Sequence, residues 1–81
     1  MILVTAALGI IGREAIDELN RMGVPTRALI PNEHKRAELD TWFDERRLDR
    51  RLLDIAVGDL ADPASLGPAL EGVERAVIIY P

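Results

Sequence analysis

The residues best placed to do chemistry lie at the start of the chain. Met1-Ile2-Leu3-Val4 is an apolar, β-type run. It leads into Thr5-Ala6-Ala7-Leu8-Gly9-Ile10-Ile11-Gly12, where two glycines stand three apart ahead of a helical pattern. A strand, a tight turn and a helix in that order aim the free N–H groups of the first helical turn at one point, which suits a pyrophosphate. The complete pattern has three glycines: one makes the turn, one lets the phosphates approach, one lets helix and strand pack closely. Gly9 and Gly12 take the second and third places, and Ala6 stands in the first. If that position needs a positive φ, Ala6 carries strain of about 1 kcal/mol.

Other chemistries find little support. Carboxylates are numerous, but none pairs as a general acid with a general base. The single His34 lies on a polar stretch and Ser65 inside a short helical one, so no nucleophile and base emerge. The chain has no cysteine, which excludes a disulfide framework, thiol catalysis and cysteine-ligated metal. No catalytic residue and no metal ligand is expected. A net charge of −4 argues against nucleic acid, whose backbone demands clustered cations. Arg46, Arg47, Arg50 and Arg51 do cluster, but Asp44, Glu45, Asp49 and Asp54 lie among them, as on a solvated face. No apolar stretch approaches the ~20 residues of a membrane span. No basic segment precedes the first apolar run, so a signal peptide is not expected. These features suggest a cytoplasmic protein without a membrane partner.

The elements that must position the turn follow from hydrophobic spacing. Met1 to Thr5 suits a buried parallel strand. From Ile10 to Met22 the period is helical, with Ile11, Ala15, Ile16 and Leu19 as the apolar stripe and Arg13, Glu14, Asp17, Glu18 and Arg21 opposite. Gly23 suits the stop of that helix. Thr26 to Ile30 is a second strand, broken by Pro31-Asn32. Glu33 to about Leu48 is helical, with Ala37, Leu39, Trp42 and Phe43 as packing contacts. Leu53 to Val57 is a third strand, and Asp62-Pro63 starts a short helix carrying Leu66, Ala69 and Leu70. Arg75 to Tyr80 is a fourth, very apolar strand. The order βαβαβαβ over residues 1–81 makes one α/β domain of three layers, a four-stranded parallel sheet with right-handed crossovers. The strand order should be 3-2-1-4, with the ligand crevice between strands 1 and 4.

Three segments, in order and at matching spacing, carry a resemblance. Met1 to Gly12 is similar to an apolar strand followed by Thr-Gly-Ala-Thr-Gly-x-Ile-Gly. Val57-Gly58-Asp59-Leu60-Ala61-Asp62-Pro63-Ala64-Ser65-Leu66 is similar to Gly-Asp-Leu-x-Asp-Pro-x-Ser-Leu. Glu71 to Ile79 is similar to the approach to the fourth strand. Together they resemble the opening of the NmrA-like atypical short-chain dehydrogenase/reductases, which bind NAD(P) on an N-terminal Rossmann domain. The resemblance covers essentially this whole chain but only the opening part of a usual member. It implies a half-Rossmann, truncated cofactor-binding portion without the substrate and catalytic part.

The resemblance also implies roles. Ala6, Leu8, Gly9, Ile10, Ile11 and Gly12 would form the phosphate turn, with Leu8 standing where the family has a Thr. An Arg often stands at the place of Pro31 and a Lys four further on; Lys35 fits the second place, which tilts the expectation toward NADP over NAD. Lys35 reads equally well as a solvated helix residue. Asp59 and Leu60 would border the adenine, although Asp59 could equally satisfy turn backbone. Tyr80 would approach the nicotinamide ribose; its plain reading is an aromatic at a strand end. The chemistry would be hydride transfer by a bound cofactor. Two readings compete: a non-catalytic remnant that pairs with a second copy along the edge from Arg75 to Tyr80, and a dinucleotide-sensing regulatory module.

Overall fold

The computed structural model describes residues 1–79. Strands β1 (Ile2–Val4), β2 (Thr26–Ile30), β3 (Leu53–Val57) and β4 (Arg75–Val77) alternate with helices α1 (Ile10–Arg21), α2 (Arg36–Glu45) and α3 (Leu66–Leu70). All strand pairs are parallel and the order is β3-β2-β1-β4, as the sequence pattern implies. The registers run Ile2–Thr26 and Ile2–Arg75 across β1, and Thr26–Leu53 between β2 and β3.

The period-2 alternation of the strands divides the core in two. Val4, Ala28 and Ile30 face α1 and α2, where Ile16, Leu39, Trp42, Phe43 and Leu48 complete one cluster. Leu3 and Leu29 face the other way, onto Ala69 of α3 with Ala56, Leu60, Leu66 and Val73 around them. The result is three layers, two helices on one face of the sheet and one on the other. Arg27 pins α3 to its face. Its guanidinium donates to the carbonyls of Ala69 at 2.7 Å and Glu71 at 2.6 Å, and pairs with Asp54 at 2.8 Å on the neighbouring strand.

Several sequence expectations are corrected. Ile11 does not join the buried stripe of α1; it stands 68% exposed, because the first turn of the helix projects past the end of the sheet. Asp17 is not on the solvent side but buried, held by Arg21 and by Arg46 at 3.3 Å. The second helix opens as a 3-10 turn (Glu33–Lys35) and ends at Glu45, since Arg47 turns left-handed at φ 56°. Ala37 and Leu70 are exposed rather than packed. Strand β4 ends at Val77, and its three residues are exposed, because among the described residues β4 pairs with β1 alone. The Arg46–Arg51 stretch is laced by ion pairs: Arg50 to Asp40 at 2.7 Å and to Asp44 at 3.2 Å, Arg51 to Asp49 at 3.0 Å. Asp62 caps the 3-10 turn Pro63–Ser65 by accepting the Ala64 N–H at 3.2 Å. Among the described residues no helix is long and apolar enough to cross a membrane, and no group of side chains has the makings of a metal site.

Candidate functional site

The turn after β1 is built by backbone conformation. Ala6 adopts φ 50°, the left-handed region that the first glycine of the pattern would occupy without strain. Its carbonyl accepts the Gly9 N–H at 3.0 Å, which closes the turn. Gly12 then passes against that carbonyl. A Cβ on Gly12 would lie 2.1 Å from the Ala6 oxygen and 2.9 Å from its carbon, so only glycine fits. Gly9 is the N-cap of α1, at φ −77° and ψ 165°, and no side chain caps the helix. The N–H groups ahead of Arg13 therefore lack intrahelical partners and form the positive end of α1. A Cβ on Gly9 would meet only the Ala6 oxygen, at 3.4 Å; its value is the bare approach it leaves to those N–H groups.

Two clefts open at the carboxyl ends of the strands, on either side of Ala6. The first, about 320 Å³, is lined by Thr5, Ala6, Leu29, Pro31, the run Gly58 to Ala61, and Ile79. The second, about 300 Å³, runs along the start of α1 between Ala6, Gly9, Ile10, Ile11, Gly12 and Ile79. Both are largely apolar. Asp59 is the one charged residue on either wall among the described residues, and its carboxylate accepts the Ala61 N–H at 2.9 Å. Ser65 Oγ accepts the Asp59 N–H at 2.9 Å and donates to the Asp62 carbonyl at 2.7 Å, so the loop after β3 is internally tied. Asp59 thus both satisfies turn backbone and borders the cleft.

The structure brings together Ala6, Gly9, Ile10, Ile11 and Gly12 in the second cleft, and Ala6, Asp59 and Leu60 in the first. Leu8 lines neither; it packs against the α1–α2 side of the core. That leaves the groove above Gly9 open, with Ile10 at 84% exposure on its rim. Lys35 is exposed on the 3-10 turn after β2 and also lines neither cleft. Tyr80 lies outside the described residues. Sequence reasoning passed over Thr5, Leu29, Gly58, Ala61 and Ile79 as cleft residues. Their signal is positional: each stands at, or just beyond, the carboxyl end of a strand, where ligands bind in open parallel sheets.

A dinucleotide fits what is present. The Gly12 contact creates the cradle and the start of α1 supplies uncapped donors.

No family model matches the chain. Over all 81 residues it is 33% identical to an NAD(P)H azoreductase of Xenophilus azovorans, of which it spans 25%. A crystal structure of isoflavone reductase superposes on it with a TM-score of 0.69 at 25% identity, covering 93% of this chain and 25% of that one. The chain therefore spans about a quarter of the length of each of these relatives.

Proposed function

We propose that this chain is the NAD(P)-binding portion of an NmrA-like, NAD(P)H-dependent reductase. One observation carries the reading: α1 starts uncapped beside a left-handed turn so close that Gly12 admits no Cβ, with a cleft on either side. Likeness to a named NAD(P)H azoreductase and to isoflavone reductase supports it. The N–H groups of Ile10 to Gly12 would receive the pyrophosphate. Leu29, Pro31 and Leu60 would face the adenosine half with apolar surface, and Ile10, Ile11 and Ile79 would exclude water beside the phosphates. When bound, the nicotinamide supplies the hydride. In this reading the substrate and catalytic part of such a reductase would be supplied outside these residues.

NADP is the preferred cofactor in this reading. The chain after β2 reads Pro31-Asn32, without the carboxylate that would hold a ribose 2′-hydroxyl, and Lys35, exposed on the following turn, is the cation this reading offers a 2′-phosphate, Arg36 being paired with Glu33 at 2.6 Å. A cytoplasmic location belongs to the same proposal, the chain's lack of cysteine fitting a reducing compartment. Isothermal titration with NADPH and NADH tests the proposal. Binding tighter than about 1 mM, with NADPH ahead, is the expected result; weaker binding of both overturns it.

A second reading is favoured by the edge: Val77, the last residue of β4, and Ile78 after it are 37% and 60% exposed, and among the described residues no strand pairs with the outer side of β4. Two copies pairing along β4 would cover it. Sedimentation at micromolar concentration separates this reading from a monomer.

A further inference from the structure

The clefts suit a ligand that carries phosphates, yet among the described residues no Lys or Arg stands on either wall. A cation stands elsewhere on the same face of the sheet. Arg75 opens β4, exposed, and among the described residues no carboxylate lies within ion-pairing distance of it. Its register partner on β1 is Ile2, as that of Val77 is Val4. Ile2, Val4 and Ile79 all pack on the α1–α2 side, so Arg75, Val77 and Ile79 share the face on which the phosphate groove opens. Arg75 does not reach the groove of its own chain. Four residues of extended backbone put it about 13 Å from Ile79, farther than its side chain extends.

The Thr5 N–H bonds the Val77 carbonyl at 3.1 Å, and the Ile79 N–H bonds Thr5 Oγ1 at 2.7 Å. Val77 and Ile79 thus turn main-chain groups toward β1. Ala76 and Ile78 turn theirs outward, where among the described residues no strand pairs. A second copy fits this edge. Antiparallel pairing about a two-fold axis at Val77 sets Ala76 against the partner's Ile78 and Val77 against the partner's Val77, apolar on apolar. The partner's Arg75 then stands opposite Ile79, about 5 Å away across the strands and on the same face. With the axis at Ala76 it stands opposite Val77, still on that face. We propose that two copies pair along β4 and that each lends its Arg75 to the other's phosphate groove, so that the dinucleotide site is completed across the pair. The proposal rests on the dinucleotide reading and on the open edge, and it makes the two compatible. The groove gives the pyrophosphate N–H donors and apolar walls; the partner's guanidinium gives the positive charge that neither wall carries. By linkage, the ligand must then tighten the pair.

The test combines sedimentation with NADPH titration on the wild-type chain, Arg75→Gln, Arg75→Lys and Ala76→Pro. Proline at 76 removes an outward N–H and leaves the β1 ladder intact. The wild type should pair at micromolar concentration, and saturating NADPH should tighten the pair by about tenfold or more. Arg75→Gln should pair without ligand to within about twofold of wild type, bind NADPH about tenfold more weakly, and lose the tightening. Arg75→Lys keeps the charge and should stay within about threefold of wild type in both measures. Ala76→Pro should be monomeric and bind NADPH as weakly as Arg75→Gln. A wild-type chain that binds NADPH yet stays monomeric overturns the proposal and leaves the dinucleotide reading standing; no binding by wild type overturns both. A pair whose Arg75→Gln variant binds NADPH as tightly as wild type overturns the loan of Arg75. Weak binding by Arg75→Gln with no effect of NADPH on wild-type pairing places Arg75 in its own chain's site and overturns it equally. The wild-type linkage is read without Ala76→Pro, so the test stands even if that variant does not fold.

Discussion

Replacing Ala6 by glycine should stabilise the fold. Ala6 sits at φ 50° in an exposed turn, and its methyl group has no place in either core cluster. The left-handed conformation costs an L-residue about 1–2 kcal/mol relative to glycine. Against this, glycine gives the unfolded chain more freedom, which costs about 0.4–1 kcal/mol. The difference leaves the variant more stable by about 0.5–1 kcal/mol. For a domain of this size that corresponds to a midpoint about 2–8 °C higher. The hydrogen bond from Gly9 N–H to the residue 6 carbonyl survives, because it involves only main chain. Thermal unfolding followed by circular dichroism, with urea titration as a second measure, gives the number directly. A midpoint that is unchanged or lower would refute the strain argument, since the entropy term by itself has the opposite sign.

The other predictions concern the neighbouring contacts. Gly12→Ala forces a methyl to within 2.1 Å of the Ala6 oxygen, so helix and turn must separate; a loss of about 1–3 kcal/mol in urea unfolding is expected. Arg27→Met keeps the packed stem but strips the donors from the Ala69 and Glu71 carbonyls and from Asp54. That should cost about 2 kcal/mol, and a loss below about 0.5 kcal/mol would mean that α3 does not depend on this cap. Acid should weaken the fold through Glu33 and Asp49, whose carboxyls are held below their usual range by hydrogen bonds from Arg36 and Arg51. A depressed folded-state value means that their contribution is complete above the ordinary carboxylate range, about 4, and is lost as pH falls below it. Glu33 is exposed and Asp49 is about one-third exposed, so the effect is small and screened by salt. Urea midpoints between pH 7 and 3 should show a shallower acid decline in Glu33→Gln and Asp49→Asn than in the parent.

How much of this is readable in residues depends on whether the determinant is local. Strands β2 and β3 match the expected bounds residue for residue, because apolar runs closed by Pro31-Asn32 and Gly58-Asp59 specify both ends. The strand order follows from alternation of strands and helices. The start of α1 is different. Ile11 satisfies the helical period, yet it overhangs the sheet and has nothing to pack on; periodicity gives a face, not the length of the surface beneath it. Asp17 reads as a solvent-side carboxylate until Arg46, brought in from beyond α2, covers it. Thr5 looks like the last residue of a strand, and its hydroxyl's role depends on a partner at the far end of the sequence.

The candidate site separates what side chains specify from what backbone geometry specifies. A phosphate cradle needs a left-handed residue, a residue without Cβ at the crossing, and an uncapped helix start. Ala6 supplies the first under strain, Gly12 the second without alternative, and Gly9 the third. Leu8, which stands where the resembled family has a Thr, packs against the edge of the core and lines neither cleft. The substitutions away from the three-glycine pattern therefore act on the stability of the turn more than on its shape. It follows that Ala6→Gly should raise the unfolding midpoint without improving NADPH affinity by more than about twofold, because the N–H groups of α1 already point where they would with glycine. A large gain in affinity would instead mean that the methyl of Ala6, which borders both clefts, stands in the ligand's path.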